Sequence, residues 1–432
     1  MPYSETMKNY LHSAWDIPYW LIAAAEKAEE ETQEIRAKIE EVARINHLRV
    51  LKAFQEEGVT EYHLQGTTGY GYNDAGRDTL DAVFARIFNG EAALVRMQFV
   101  SGTHVLAAAL YGNLKSGDEL VGATGPPYDT LQKIIGNSGK NNPGSLKEMG
   151  ITYREVPLDP AGKPDLASLS RALTPRTRMV MMQRSSGYSW RPALTIEEIK
   201  AIIKTVKAQN PHIVCLVDNC YGEFVETEEP GAAGADLTAG SLIKNPGGGL
   251  APTGGYLAGR RDLIEGAARR LTAPGLESTV GATLGVNRLF YQGLFLAPQM
   301  VGEALKGAVF CARLLESLGW EVKPASNEKR GDIIQAVKLE NADAVVKFCQ
   351  AIQQTSPVDS MVKPIPSPLP GYADEVIMAA GTFIQGASLE LTADAPMRPP
   401  YAVYLQGGLG MSHPYIAILK AVQSVADLKK DG

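Results

Sequence analysis

Short apolar runs alternate with longer helical stretches through the middle of the chain, from about residue 90 onward. The apolar runs are "AALVRMQF", "DELVGATG", "ITYREVPL", "RMVMMQ", "HIVCLVDN" and "GGYLAG". Between them, "SGTHVLAAALYGNL" and "IEEIKAIIKTVKAQ" have the spacing of amphipathic helices. Strands separated by helices are typical of βαβ units, so the pattern predicts a mostly parallel sheet that is covered by helices on both faces.

A charged segment over residues 24–57 precedes this region, and its apolar side chains recur at steps of three and four. This spacing predicts an amphipathic helix, and Gly58 suits its C-terminal end. The apolar positions are Ile35, Ile39, Val42, Ile45, Leu48 and Leu51. Such a helix packs either on the body of the protein or on a second subunit, and the sequence does not choose between the two.

A smaller unit follows the helical stretch "PQMVGEALKGAVFCARLLESLGW". The runs "DIIQAVKL", "EVIMAAGTFI" and "ASLELTAD" predict strands, and "ADAVVKFCQAIQQ" predicts a helix. We therefore expect three parts: an N-terminal helical segment over residues 1–65, a large α/β domain over 66–295, and a small C-terminal α+β domain over 296–432.

Composition narrows the class of protein. The 432 residues are 45% hydrophobic and 21% charged, which is ordinary for a soluble globular protein. A net charge of −6 without a basic stripe argues against nucleic-acid binding. No apolar run approaches the ~18 residues of a membrane span, and the N-terminus lacks a signal-peptide pattern, so we expect a cytoplasmic protein. Because the four cysteines form no CxxC pair and the six histidines no HxxxH pair, we expect neither disulfides nor a metal site.

Three groups of polar residues lie where strands are predicted to end. Asp218 ends the run "HIVCLVDN", and Lys244 follows the small and apolar run Ala-Gly-Ser-Leu-Ile before a loop of glycines. Ser101, Gly102 and Thr103 follow another strand and open a helix, where free N–H groups favour a phosphate. Ligands of open α/β sheets bind at the carboxyl ends of the strands. An amine, a carboxylate and an anion cradle are together what pyridoxal 5′-phosphate (PLP) needs.

Longer stretches of the chain resemble one family. "ADLTAGSLIK" is similar to the lysine segment of the cystathionine and methionine γ-lyase family, and "VDNCYGEF" resembles its aspartate motif. "YNDAGRDTLDAVFARIFNGEAALVRMQFVSG" resembles the stretch that leads from a tyrosine to the Ser-Gly phosphate turn. With "GYGYNDAGRD" and "PYAVYLQGGLG", the chain looks closest to the methionine γ-lyase-like or aluminium-resistance branch. The resemblance implies PLP fold type I, the aspartate aminotransferase-like fold, with a large PLP-binding domain and a smaller α+β domain.

The resemblance also implies roles for single residues in catalysis. Lys244 would form the Schiff base with PLP and then move the Cα proton of the substrate. Asp218 would keep the ring nitrogen of PLP protonated, so that the ring withdraws electrons. Tyr128, in "GPPYDTL", would stack on the ring and take part in proton transfer.

Other residues would hold the phosphate of PLP. By resemblance, Ser101, Gly102, Thr103 and Ser241 bind it from within the chain. Tyr72 matches a tyrosine that the family supplies from the neighbouring subunit, which implies a homodimer or homotetramer with shared active sites.

The chain departs from the family pattern at some positions. The family's arginine two residues after the tyrosine is Asp74 here, and Arg77 is the candidate replacement. Ile243 replaces the threonine that precedes the lysine and so removes a hydroxyl. Arg398, in "APMRPPY", is the candidate for binding the substrate carboxylate, because a guanidinium grips a carboxylate in a bidentate fork.

Each assignment has a simpler alternative. Ser101 is also an ordinary helix N-cap, and Tyr128 an anchor for its loop. Arg398 also suits a structural salt bridge, and "GYGYNDAGRD" a glycine-rich surface turn.

Three hypotheses for function follow. The first is a PLP-dependent carbon–sulfur lyase that acts on a sulfur-containing amino acid by β- or γ-elimination, as in cystathionine β-lyase or methionine γ-lyase. The second is another PLP reaction on the same fold, such as transamination or γ-replacement. The third is a non-catalytic protein that binds PLP or a metal and acts in resistance or regulation.

Overall fold

The structure, a computed structural model, describes residues 3–137, 142–339, 341–369 and 372–426. Its α-helices are α1 (Glu5–Trp15), α2 (Tyr19–Glu31), α3 (Gln33–Glu56), α4 (Ala75–Ile87), α5 (Gly102–Asn113), α6 (Asp129–Ile135), α7 (Leu166–Ala172), α8 (Ile196–Gln209), α9 (Arg261–Leu271), α10 (Asn287–Ser317), α11 (Ala342–Gln354) and α12 (Ser412–Val425). Its strands are β1 (Ala92–Arg96), β2 (Glu119–Gly122), β3 (Thr152–Glu155), β4 (Thr177–Gln183), β5 (Val214–Asp218), β6 (Leu237–Ser241), β7 (Gly255–Gly259), β8 (Val322–Lys323), β9 (Gln335–Lys338), β10 (Val376–Ala379), β11 (Thr392–Pro396) and β12 (Ala402–Gln406).

The first seven strands form one large sheet in the order β1-β7-β6-β5-β4-β2-β3. Strands β2 to β6 pair in parallel, and β7 runs antiparallel to both of its neighbours. Apolar side chains of the sheet pack against α5, α6 and α9 on one face and against α4, α7, α8 and α10 on the other. The predicted α/β class, with a mostly parallel sheet covered on both faces, is therefore confirmed.

The topology brings the polar strand ends to one edge. In the register of the parallel pairs, Asp218 at the end of β5 lies beside Gln183 of β4 and Ala239 of β6. Since the carboxyl ends of parallel strands share an edge of the sheet, the segments after β2, β4, β5 and β6 meet there. The start of α5 joins them, because α5 follows β1 and packs on β6.

Five further strands form a smaller antiparallel sheet in the order β10-β11-β12-β9-β8. One face packs on α11, α12 and the C-terminal half of α10, and α1 and α2 belong to the same core. The 31-residue helix α10 joins the two sheets. By length and composition α10 is apolar enough to cross a membrane, but 67% of its most apolar window is buried inside the fold.

The N-terminal helices resolve a choice that the sequence leaves open. The predicted helical segment forms α2 and α3, and Gly58 follows with a left-handed φ of 60°. Helix α3 packs on the body of the protein, where a Cβ at Gly302 of α10 would lie 3.0 Å from the side chain of Ala43. The contacting face is not the apolar stripe of the sequence pattern, since Ile45, Leu48 and Leu51 are exposed. The buried residues of α3 are Ala43, Asn46, Val50 and Ala53, and Ile39 and Phe54 pack against the same core.

Asn46 gives a direct test of this packing. Its amide nitrogen donates to the carbonyl oxygens of Phe224 (2.8 Å) and Glu226 (3.1 Å), and its side chain is fully buried. We expect Asn46→Ala to lower the free energy of unfolding by about 1–3 kcal/mol, because two buried acceptors lose their donor. The neighbouring change Ile45→Ala, at an exposed position, should alter it by less than about 0.5 kcal/mol. Urea unfolding of both variants measures the difference, and equal effects would contradict the packing.

Candidate active site

A cavity of about 520 Å³ opens at the carboxyl edge of the large sheet. The part of the chain built on the seven-stranded sheet, the large lobe, supplies most of its wall. The part built on the five-stranded sheet, the small lobe, contributes Tyr372 and Arg398. Of the residues predicted from the sequence, the cavity gathers eight: Ser101, Gly102, Thr103, Tyr128, Asp218, Ser241, Lys244 and Arg398. A second cavity of about 350 Å³, between α3 and α10, contains none of them.

The backbone next to Lys244 is packed tightly against α10. Lys244 follows β6 and precedes a glycine loop, in which Gly248 has a left-handed φ of 56°. A Cβ at Gly248 would lie 2.1 Å from the carbonyl oxygen of Gly293 in α10. The glycines after the lysine are therefore required by close approach of two backbones. They fix the loop against the long helix, and Ser241, Ile243 and Lys244, which precede the loop, line the cavity.

The amine of Lys244 lies among acidic and aromatic groups. Its Nζ atom is 3.8 Å from the centre of the Tyr221 ring, a cation–π distance. Burial by itself lowers the pKa of the amine, but Cys220, Tyr221 and Asp218 around it raise that pKa well above its usual value. Without a cofactor the amine is therefore protonated at neutral pH.

Asp218 is buried on the neighbouring strand. Its Oδ1 atom accepts a hydrogen bond from the backbone N–H of Cys220 (3.2 Å). Burial raises the pKa of the carboxyl, and the charge of Lys244 opposes this rise. A buried carboxylate of this kind is costly alone and gains from a cationic partner, which a protonated ring nitrogen supplies.

The start of α5 forms an anion cradle. The hydroxyl of Ser101 caps the helix by accepting from the backbone N–H of His104 (3.1 Å), and the first N–H groups of a helix have no partner within it. A Cβ at Gly102 would lie 3.5 Å from the Cβ of Ser241, so the two residues face each other. The hydroxyl of Ser241 is buried and finds no hydrogen-bond partner among the residues that the structure describes. An acceptor such as a phosphate oxygen would satisfy it.

Tyr128 lies between the cradle and the carboxylate. Its hydroxyl is 3.2 Å from the hydroxyl of Thr103, and its backbone N–H donates to Oε1 of Gln183 (3.3 Å). Burial, followed by the charge of Asp218, raises the pKa of the phenol above its usual value. The phenol therefore keeps its proton at neutral pH.

These features fit PLP on the observations of this structure. An orphaned hydroxyl and a helix N-terminus suit the phosphate, a buried carboxylate suits the ring nitrogen, and a buried amine suits the aldehyde. Among the residues that the structure describes, no group of three or more His, Cys, Asp or Glu side chains lies close enough to hold a metal ion.

Two predicted site residues lie outside the cavity of their own chain. Tyr72 is 57% exposed and stacks on Tyr70, with ring centres 5.4 Å apart. The guanidinium of Arg77 is buried and donates to the carbonyl oxygens of Gly71 (2.8 Å) and Gly281 (3.2 Å). Arg77 thus holds the loop that carries Tyr72. The cofactor-binding role of Tyr72 and Arg77 stays a prediction.

Arg398 lines the cavity but is not free. Its Nη1 atom donates to Asp374 Oδ2 (2.8 Å), and the Arg398 side chain is 40% exposed. The structural salt bridge and the substrate role that the sequence leaves open are therefore both compatible with its position.

The sequence reasoning missed several aromatic walls of the cavity. Tyr221, Tyr188 and Tyr372 all line it, and the hydroxyl of Tyr188 donates to Asp394 of the small lobe (2.8 Å). Burial raises the pKa of Asp394 to about 6. Tyr221 lies inside the aspartate motif and Tyr188 just after β4. Their positions near strand ends could have identified both as cavity residues from the sequence. Tyr372 and Asp394 come from the other lobe, which strand ends do not indicate.

Comparisons with known proteins agree with this site. The family model described as methionine gamma-lyase matches residues 21–426. The chain is 52% identical over 391 residues to the uncharacterized protein YnbB of Bacillus subtilis (strain 168). The aligned region covers 90% of this chain and 93% of YnbB.

Solved structures extend the comparison. The carbon–sulfur lyase involved in aluminum resistance from Clostridium novyi NT superposes with a TM-score of 0.94 at 50% identity, over 98% of this chain and 100% of that chain. The PLP-dependent protein YhfS from Escherichia coli superposes with a TM-score of 0.61 at 17% identity, over 90% of this chain and 97% of that chain, which is a likeness of fold alone. The fold is PLP fold type I, as predicted, and the chain belongs to the methionine gamma-lyase family, whose cofactor is PLP.

Proposed function

We propose that this protein is a PLP-dependent carbon–sulfur lyase that acts on a sulfur-containing amino acid by β- or γ-elimination. The observation that carries the proposal is the cavity in which Lys244, Asp218 and the unpartnered hydroxyl of Ser241 meet, in a chain of the methionine gamma-lyase family. When bound, PLP supplies an electron sink that acidifies the Cα–H bond of an attached amino acid.

Asp218 sets the strength of that sink. A carboxylate about 4 Å from a protonated ring nitrogen, at an effective dielectric of ~20, is worth about 4 kcal/mol. This is enough to keep the nitrogen protonated at neutral pH, since one pKa unit corresponds to about 1.36 kcal/mol. Burial of Asp218 protects the interaction from solvent screening.

Lys244 and Tyr128 handle the protons. Lys244 would hold the aldehyde of PLP, and its amine, when free, would act as the base that takes the Cα proton of the substrate. Tyr128 lines the same cavity as Lys244, and its position makes it the candidate donor to the leaving sulfur. Burial raises the pKa of its phenol, which opposes donation, whereas the charge of Lys244 lowers that pKa and favours it. Thiols are good leaving groups because a cysteine-like thiol has a pKa of about 8.5.

Arg398 is the candidate for the substrate carboxylate. Among the residues that the structure describes, its ion-pair partner is Asp374, and an exposed pair of this kind contributes about 0–1 kcal/mol. A substrate carboxylate can therefore replace Asp374 as the partner of the guanidinium at little cost.

We also propose a homodimer or homotetramer with shared active sites, in the cytoplasm. Tyr70 and Tyr72 form an exposed aromatic pair outside the cavity of their own chain. Arg77 holds the loop that carries them, so the pair is presented rigidly to a neighbouring subunit.

A direct assay tests the reaction. The purified protein with added PLP is incubated with L-methionine, L-cystathionine or L-cysteine, and thiol, ammonia and 2-oxo acid are measured. We expect stoichiometric release of all three with at least one substrate. Turnover that requires 2-oxoglutarate and releases no ammonia would indicate an aminotransferase instead. A purified protein that has no visible coenzyme absorbance, and that added PLP leaves unchanged, would contradict both enzymes.

Substitutions of the two central residues should separate binding from chemistry. Lys244→Ala should give no PLP-labelled peptide after borohydride reduction and should lower kcat by about 10²–10⁴-fold, the usual contribution of a general base. Asp218→Asn should keep the labelled peptide and lower kcat by about 10²–10³-fold, since only the charge behind the ring is lost. Peptide mapping and steady-state assays measure both. A labelled peptide in Lys244→Ala would place the attachment elsewhere.

The orphaned hydroxyl of Ser241 should contribute to cofactor affinity. Hydrogen bonds to charged groups contribute about 1.5–3 kcal/mol, so Ser241→Ala should raise the Kd for PLP by about 10- to 100-fold. Thr238 is the matched control, because its hydroxyl is also buried and unpartnered on β6 but does not line the cavity. Thr238→Ala should leave the Kd unchanged. Equal Kd values for the two variants would exclude Ser241 as a phosphate ligand.

A further inference from the structure

A fully buried arginine lies directly behind the segment that carries Asp218. Arg184 follows β4 and has no exposed surface, and it does not line the cavity. The backbone joins it to the site at once, because its N–H donates to the carbonyl oxygen of Asp218 (3.0 Å). Because the guanidinium does not reach the cavity, it can influence the site only through the residues to which it is hydrogen-bonded.

The guanidinium ties together both ends of one turn. Its Nη1 atom donates to the side-chain Oδ1 of Asn219 (2.8 Å) and to the carbonyl oxygen of Gly222 (2.8 Å). The backbone N–H of Gly222 in turn donates to the carbonyl oxygen of Asn219 (2.8 Å). The turn from Asp218 to Gly222 is therefore closed by its own backbone and cross-linked by Arg184.

This turn carries both groups that face the lysine. Asp218 begins it, and Tyr221, whose ring centre lies 3.8 Å from Nζ of Lys244, is its fourth residue. Tyr221 has a φ of 70°, which is unfavourable for a residue with a side chain and persists only where its surroundings hold it. Gly222 allows the contact that holds it, since a Cβ there would lie 2.4 Å from Cδ of Arg184.

The charge of Arg184 is balanced away from the cavity. Its Nη2 atom donates to Oε1 of Glu226 (3.1 Å), and Nη1 lies 3.8 Å from Glu229. Both acids have other partners, since Glu226 also accepts from Lys329 (2.8 Å) and Glu229 from Arg49 (3.2 Å). The carboxylates thus do not depend on Arg184 alone. Within the turn, the carbonyl oxygen of Gly222 also accepts from the backbone N–H of Val225 (3.2 Å), whereas Arg184 is the donor that the structure describes for Oδ1 of Asn219.

We propose that Arg184 is a positioning residue that sets the direction of the Asp218 carboxylate and the Tyr221 ring toward the coenzyme and Lys244. Five N–H donors in a planar fork are needed to reach an amide, a carbonyl and a carboxylate at the same time. A lysine at this position supplies the same charge but cannot span both ends of the turn. The reaction that it serves rests on the proposed function, but the geometry that it sets needs only bound PLP.

Arg184→Lys tests the proposal, with Arg96→Lys as the matched control. Arg96 is another buried arginine, ion-paired with Asp81 (2.8 Å) and remote from the turn. We expect Arg184→Lys to keep PLP attached to Lys244 and to lower kcat about tenfold, a loss of ~1.4 kcal/mol, with little change in KM. The pH midpoint of the coenzyme absorbance is measured for the wild type and for Asp218→Asn, and that of Arg184→Lys should lie between the two. Arg96→Lys should lower Tm while leaving kcat and that midpoint as in the wild type.

Gly222→Ala keeps the arginine and disturbs the same contact, so it serves if Arg184→Lys does not fold. It should shift the pH midpoint in the same direction. A wild-type midpoint in whichever of the two variants folds, or an equal shift in Arg96→Lys, would overturn the proposal and leave Arg184 with a role in stability only. A chain that binds PLP but cleaves no sulfur amino acid would end the proposed function, and the pH midpoint would still decide the role of Arg184.

Discussion

The burial of an amine and a carboxylate in one cavity is the constraint on which the rest of this structure depends. A charge removed from water is costly unless a partner of opposite sign lies close to it. Lys244 and Asp218 satisfy that condition because β5 and β6 are neighbours in the large sheet and end at the same edge. The opposed influences on the pKa of Asp218, burial and the charge of Lys244, show that each residue is held where it needs the other.

The surroundings of the pair are built to prevent relaxation. Behind the lysine, the glycine loop touches the backbone of α10 so closely that a side chain at Gly248 would have no space. Behind the aspartate, Arg184 cross-links the turn that also carries Tyr221. Two segments that bear opposite charges are thus each fixed to a rigid part of the large lobe. Such preorganisation favours electrostatic catalysis, because the groups need no rearrangement at the moment of reaction.

The contact between the two lobes completes the cavity. Tyr188 of the large lobe is hydrogen-bonded to Asp394 of the small lobe, and Tyr372 and Arg398 extend from the small lobe into the same space. The part of the wall that contains Tyr372 and Arg398 is therefore made at an interface, whereas the residues proposed to hold the coenzyme lie in the large lobe. This division is expected if the coenzyme chemistry is common to a family and the choice of substrate is made by the contact between lobes.

The sequence by itself determined the class of fold and the chemistry at the strand ends. Alternation of strands and helices required a parallel sheet, a parallel sheet gathers its carboxyl ends, and Asp218, Lys244 and Ser101 each follow a strand, so their meeting was predictable. The sequence did not determine which face of α3 is buried, because close packing of Ala43 and the hydrogen bonds of Asn46 outweighed the apolar periodicity of Ile45 and Leu48. Nor did it indicate Tyr372, which lines the cavity from the other lobe, or Asp394, which accepts from the cavity residue Tyr188. The local pattern of residues predicts the secondary structure of a segment. Contacts between distant segments form only when the whole chain packs, and they can override the local preference.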